Sequence, residues 1–190
     1  TIGNPPWDRM LPADKEFFAV YNLDVLSAPT ARERSKVEKV LRADPEISKA
    51  YAVYINQYRS AEHAVDVLYT HQVVEINGER TIGKQDLYRL FMERQAQIIN
   101  FNGIIGLVVP SAFHANEGAT GIRKMYLQSL ALRYCYSYEN KKKLFEIDSR
   151  FKYALILAQK TGVSTNYFDC AFYLHDDSWL FGERKSLRYS

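Results

Sequence analysis

The spacing of apolar residues changes several times along the chain, and each change marks an element. Ile47, Tyr51, Tyr54, Ile55, Tyr58, Val65, Leu68 and Tyr69 recur at intervals of three and four, which is the stripe of a helix of about twenty-five residues. Asp44-Pro45 opens that helix: the aspartate caps its free amides, and proline at the first helical position gives up only an N–H that has no partner there. Upstream, Thr30-Ala31-Arg32-Glu33 has capping-box spacing and predicts a helix from Ala31 to about Leu41. Asp14 to Leu26 mixes Phe17, Phe18, Val20 and Tyr21 with acidic residues and reads as irregular chain or one short helix.

Beyond the long helix, Asn77-Gly78 predicts a tight turn between short strands Val73–Ile76 and Arg80–Ile82. A period of 3.6 returns from Lys84, with Leu87, Leu90, Phe91, Arg94 and Ile98 on one face, and stops at Asn102-Gly103. Ile104 to Val109 is an unbroken apolar run of the kind found in a strand buried on both faces. A helix from Asn116 or Glu117 to Ser129 and a strand from Leu132 to Tyr138 follow. Phe151–Ala158, Gly162 and Tyr167–Leu174 then read as strand, turn and strand, an antiparallel hairpin. The fold class is therefore α/β, with mostly parallel strands, inserted helices and a terminal antiparallel hairpin. The domain assignment is residues 1–175, with 176–190 as a surface extension. Thr1-Ile2-Gly3 reads as a strand running into a turn, so the chain is expected to begin inside a domain.

Composition narrows the class. With 190 residues, 47% of them hydrophobic, the chain is long enough for one buried core, which excludes a disordered or fibrous protein. A net charge of +3 is too small to argue for a DNA grip on its own. Cys135 and Cys170 lie in apolar, tyrosine-rich runs without zinc spacing, so they read as reduced core thiols and no metal is expected. No apolar run approaches a membrane span, and a cytoplasmic location is expected.

The candidate chemistry begins at Gly3-Asn4-Pro5-Pro6-Trp7. A plain turn is one reading, because Asn-Pro and Pro-Pro both break regular structure. The other reading has a mechanism. An exocyclic amine on an aromatic base is a poor nucleophile because its lone pair is delocalised into the ring. Acceptors that hold its two N–H groups favour a pyramidal, more reactive nitrogen. Asn4 supplies a side-chain carbonyl and Pro5 a backbone carbonyl, while Pro5 and Pro6 stiffen the segment without adding N–H donors. Trp7 offers a face on which an extruded base can stack.

Asn4-Pro5-Pro6-Trp7 resembles the catalytic tetrapeptide of the amino methyltransferases, in which Asn, Asp or Ser precedes two prolines and an aromatic. The Asn form is typical of adenine-N6 enzymes. Further strings agree in order: Lys84-Gln85-Asp86-Leu87-Tyr88, Gly106 to Phe113, Asn116-Glu117-Gly118-Ala119, and Glu139-Asn140-Lys141-Lys142-Lys143-Leu144-Phe145 through Asp148-Ser149-Arg150-Phe151-Lys152-Tyr153. Together they are similar to the adenine methyltransferase domain of type IIG restriction-modification proteins and the related phage-exclusion methyltransferases.

That resemblance implies the C-terminal half of a class I, Rossmann-like fold dependent on S-adenosylmethionine. It also implies a double-stranded DNA partner with a flipped adenine. The family places an aromatic opposite the tetrapeptide's own, and Phe145 and then Phe151 are the candidates, each against the alternative of an ordinary core ring. Lys141, Lys142, Lys143, Arg150 and Lys152 form a run that either meets phosphates or is simply solvated. Asp86 either caps its helix or contacts the donor site. The glycine-rich donor loop and the acidic residue of the family have no counterpart, since Gly103, Gly106, Gly118 and Gly121 lack the spacing. The chain by itself is therefore expected neither to bind the donor tightly nor to transfer methyl groups. A sheet cut at that point bares an edge, which implies self-association. Acceptors other than DNA, namely RNA adenine or protein glutamine, remain open, as does a catalytically empty DNA-binding or assembly module.

Overall fold

The computed structural model describes residues 1–82, 85–182 and 186–190. Lys84, from which the second long helical period was read, lies outside them. The chain divides into two compact units, Met10–Leu68 and a second made of Thr1–Arg9 with Tyr69–Ser190.

The second unit opens with β1 (Ile2–Gly3). The intervening helical unit comprises α1 (Asp14–Ala19), α2 (Asp24–Ser27), α3 (Ala31–Ala43) and α4 (Pro45–Leu68). The stretch expected to be irregular or one short helix is thus two short helices. Both caps form where the sequence placed them: Thr30 Oγ1 accepts the Glu33 N–H at 3.2 Å, and Asp44 Oδ1 accepts those of Glu46 and Ile47 at 2.9 and 3.2 Å. The tyrosine stripe of α4 meets α1, with Tyr51 stacked on Phe18 at 4.9 Å and Tyr54 on Phe17 at 5.1 Å. The Arg42 guanidinium lies 4.0 Å from the Tyr51 ring centre and pairs with Asp14, which also accepts the Tyr51 hydroxyl.

The α/β unit continues with β2 (Val73–Ile76), β3 (Glu79–Ile82), α5 (Leu87–Ile98), β4 (Ile104–Pro110), α6 (Ala112–Ala115), a 3-10 turn at Glu117–Ala119, and α7 (Thr120–Gln128). There follow β5 (Ala131–Glu139), a 3-10 turn at Asn140–Lys142, β6 (Lys152–Gln159), β7 (Phe168–Leu174), a 3-10 turn at Asp177–Leu180, and β8 (Leu187–Tyr189). β2 and β3 form a separate hairpin whose turn residues Asn77 and Gly78 both have positive φ, 52° and 83°, as a mirror-image turn requires.

The main sheet has the order β1-β4-β6-β5-β7-β8. β1 is parallel to β4 and β5 to β7, while β6 is antiparallel to both β4 and β5. Four strands therefore share one direction, and the fold is α/β as expected. The expected pairing of β6 with β7 does not form. β6 instead fills the gap between β4 and β5, β7 lies on the far side of β5, and the terminal hairpin is β7 with β8. Alternation along β6 explains why local pattern did not decide this: Ala154, Ile156 and Ala158 are buried and Leu155 and Leu157 half-buried, a sequence compatible with several neighbours.

The core lies on one face of this sheet, where Ile105, Leu107, Val109 and Ile156 meet Met92 of α5 and Ile122, Met125 and Tyr126 of α7. Each such side chain contributes on the order of 1.5–3 kcal/mol. β4 differs from its expected burial on both faces: Gly106 and Val108 look onto an apolar cleft of about 290 Å³ with Leu155, Leu157 and Tyr136. Cys135 and Cys170 are opposite each other on β5 and β7, buried and unbridged, and burial pushes the Cys135 thiol up to about 12.

Helix α5 is fastened at both ends. Asp86 precedes it but makes no side-chain cap; its carboxylate pairs with Arg89 at 3.2 Å and Arg9 at 3.3 Å. At the other end the Lys160 ammonium donates to the carbonyls of Ala96, Gln97 and Ile99 at 3.0–3.4 Å, which complements the negative end of the helix. The buried Glu93 carboxylate accepts the His71 and Gln72 side chains at 2.9 and 2.7 Å, tying the start of Tyr69–Ser190 to α5.

Candidate functional site

The carboxyl ends of β1, β4 and β5 and the amino end of β6 share one edge of the sheet, and the candidate site is built there, as expected for open α/β sheets. β1 ends at Gly3 and the chain turns at once through Asn4-Pro5-Pro6-Trp7. Asn4 and Pro6 are exposed, Pro5 is buried and Trp7 is half-buried. The Asp8 carbonyl then accepts the Leu87 N–H at 2.9 Å, and Arg9 bridges to Asp86, so the segment is pinned to the head of α5. The Asn4 side chain makes no hydrogen bond among the described residues, which leaves its carbonyl open to a ligand. The Trp7 indole N–H is buried and has no partner among them.

Asn4 to Asp8 line a cleft of about 310 Å³ whose other wall is Phe145 and Ile147. The Trp7 and Phe145 ring centres are 6.0 Å apart, with their planes inclined at 60°. Phe145 sits edge-on to Tyr153 at 5.0 Å, and Tyr153 is stacked on Tyr138 at 5.4 Å. A continuous row of rings therefore backs the cleft. Asp8, Ile147, Tyr138 and Tyr153 were missed from sequence, because Tyr138 and Tyr153 become neighbours only through the pairing of β5 with β6.

The structure separates Phe151 from this group. Its side chain is 54% exposed and lines a different cleft with Pro110, Ser111, Asp148 and Arg150. The basic run is largely neutralised from within. Glu139 pairs with Lys141 at 2.7 Å and Lys152 at 3.0 Å, and these hydrogen bonds hold its carboxyl down at about 2. Lys142 pairs with Asp176 and Arg150 with Asp148, each lowering the carboxyl it meets. Lys143, exposed and left-handed with φ 51°, makes no ion pair among the described residues.

A second cleft, beside β1, is apolar. The cleft beside β1 is lined by Ile2, Gly106, Val108 and Leu157 and offers no acidic side chain to a ribose. No glycine-rich loop leaves a strand among the described residues, and Gly121 lies within 2.3 Å of the His71 carbonyl by the Cβ it lacks, serving helix packing instead. No cluster of His, Cys, Asp and Glu suited to a metal occurs among the described residues, and none of their helices is long and apolar enough to cross a membrane.

Residues 54–145 match the family model described as Eco57I restriction-modification methylase. This stretch is similar to the restriction-modification methylases. It runs from α4 to Phe145; the Asn4–Trp7 corner lies outside it. Among solved structures, the nuclease-deletion mutant of the Type ISP restriction-modification enzyme LlaGI, in complex with a DNA substrate mimic, matches over 100% of this chain and 14% of its own, at 15% identity and a TM-score of 0.53. That likeness shows the fold. The Type ISP enzyme LlaBIII bound to DNA matches 90% of this chain and 10% of its own, with 13% identity and a TM-score of 0.45. A modification subunit of a type I restriction enzyme from Vibrio vulnificus YJ016 matches 55% and 24%, with 15% identity and a TM-score of 0.39. The chain thus spans no more than about a quarter of the length of these three proteins. No curated protein matches the sequence.

Proposed function

We propose that the protein methylates N6 of adenine in double-stranded DNA, with S-adenosylmethionine as donor, in a restriction-modification or phage-defence system, and that residues 1–175 are its target-base half. The observation that carries this reading is the exposed Asn4 amide, unbonded among the described residues, beside Pro5, Pro6 and Trp7 on a cleft walled by Phe145. The likeness of residues 54–145 to a restriction-modification methylase supports it independently.

The target amine donates one N–H to Asn4 Oδ1 and the other to the Pro5 carbonyl. The Pro5 carbonyl belongs to a diproline backbone that is stiff before the base arrives, so little backbone reorganisation accompanies the reaction. The adenine leaves the duplex at a cost of a few kcal/mol, offset by stacking on Trp7. Two face-to-face contacts of about 3.5 Å need roughly 7 Å between flanking rings, and Trp7 and Phe145 stand 6.0 Å apart and inclined. The base therefore stacks on Trp7 alone, with Phe145 as the side wall of the cleft. S-adenosylmethionine is the donor in this reading, and the Asn4–Phe145 cleft receives the base rather than the donor. The paired cations around Glu139 brace the loop, and Lys143, without an ion pair among the described residues, is offered to a phosphate.

The test is Asn4→Ala in the protein that carries this chain, with plasmid DNA as substrate and RNA and glutamine peptides as competing acceptors. Methylation of DNA adenine is expected to fall by about 10²–10³ with an unchanged unfolding transition. Full activity in the variant refutes the role of Asn4, and methylation confined to RNA or peptide reassigns the acceptor.

A further inference from the structure

One buried side chain organises the whole loop that carries Phe145. Asn140, at the carboxyl end of β5, is 1% exposed. Its Nδ2 donates to the Phe145 carbonyl at 2.9 Å and the Ile147 carbonyl at 3.2 Å, and its Oδ1 accepts the Phe145 N–H at 3.1 Å. Its backbone closes the loop as well: the Asn140 N–H donates to the Phe151 carbonyl, and the Asn140 carbonyl accepts the Lys143 N–H, both at 3.0 Å. Leu144, Ile147 and Phe151 are 52%, 37% and 54% exposed, so the loop has little apolar burial to hold it otherwise.

We propose that Asn140 is a positioning residue: its amide fixes Phe145 against Trp7 and thereby sets the base-facing wall of the cleft. Its relevance to methyl transfer rests on the function proposed above. Only an amide supplies two donors and an acceptor in this shape. Alanine strands a buried donor and acceptors, and an ionised carboxylate in the same place faces two carbonyl oxygens with no hydrogen to give. Asn140 acts through Phe145 and touches no substrate. A plain turn asparagine would bond one nearby amide; this one bonds both polar groups of the residue that carries the ring.

The experiment uses the full chain with Trp179→Phe, which leaves Trp7 as the single indole of the two in the sequence. Near-ultraviolet circular dichroism of Trp7 is followed from pH 4 to 8 in the Asn140, Asn140→Ala and Asn140→Asp forms. The Trp7 band is expected to collapse in both variants at pH 7. In Asn140→Asp alone it returns at low pH, where the protonated carboxyl again has a hydrogen to donate. Glu139 stays ionised through this range because Lys141 and Lys152 hold it near 2, and the unaltered form controls for His175, which pairs with Glu139 beside Lys141. An unchanged band in both variants, or equal recovery in both, overturns the proposal. Should the variants fail to fold, amide exchange in the unaltered chain decides: the Phe145 N–H must be protected despite its place in an exposed loop, and rapid exchange overturns the proposal.

In the protein that carries this chain, Asn140→Ala should raise the KM for plasmid DNA about tenfold with the unfolding midpoint preserved; an unchanged KM counts against positioning. An unaltered protein that methylates no nucleic acid refutes the proposed function, while the optical arm still decides the role of Asn140.

Discussion

The two units are stabilised by different kinds of interaction. In the α/β unit, strands far apart in sequence bury alternate residues against α5 and α7. In the helical unit, neither α3 nor α4 has a fully buried side chain, and Phe18, Ala19 and Val25 are its only buried hydrophobics among the described residues. Its order comes from helix caps and from ring and ion contacts made by partly exposed side chains, Tyr51 and Tyr54 against Phe18 and Phe17 and Arg42 against Asp14 and Tyr51. The α/β unit thus rests on a buried apolar core, and the helical unit on polar and aromatic contacts that stay partly open to water, which lowers its cost of local opening.

Substitutions can break that contrast. The largest effect is expected for Ile156→Ala at the centre of the sheet, a loss of about 2–5 kcal/mol in urea unfolding. A smaller loss there would mean that the core is looser than its burial indicates. Asp44→Ala removes the acceptor of two helix amides and should cost about 1 kcal/mol, seen as faster amide hydrogen exchange confined to residues 10–68. The next effect depends on pH. Burial, reinforced by Arg123, pushes the imidazole of His114 below its usual value, and its Nε2 lies 3.0 Å from the Ser137 hydroxyl. A histidine with a depressed folded pKa binds protons more readily when unfolded, so its contribution is complete above about pH 6.5. That contribution is lost as pH falls toward the folded value. Unfolding midpoints measured from pH 7.5 to 5 should therefore decline, and less so in His114→Gln. The smallest effect is expected for Val53→Ala on α4, 53% exposed, which should change stability by no more than about 0.5 kcal/mol. A larger loss would show that α4 is covered by something beyond the described residues.

The same contrast explains what could be read from the sequence. Caps at Thr30 and Asp44, the stripe of α4 and the Asn77-Gly78 turn are local, and each appears where the spacing placed it. The insertion of β6 between β4 and β5 is a matter of which strand finds which neighbour, and alternation within β6 carries no such information. The one-turn helix α6 and the three-residue β8 are too short for any period to show. At the candidate site, Asn4 to Trp7 was legible because two prolines beside an amide are rare and chemically specific. Phe145 came with the resemblance, but the separation of Phe151, six residues on, depends on how the loop is laced. Asn140 escaped notice because an asparagine at a turn has many ordinary reasons to be there. The ion pairs of Lys142 with Asp176 and of Lys152 with Glu139 join segments whose proximity only the sheet establishes.

The reversed direction of β6 has a consequence for how such a cleft can diversify. Because β6 enters the sheet at the edge where β5 leaves it, the intervening loop begins and ends at the same place, closed by the bond from the Asn140 N–H to the Phe151 carbonyl. Residues added or removed at its tip need not disturb the register of either strand. The wall facing a ligand is thereby free to vary in length and shape on a scaffold that does not change.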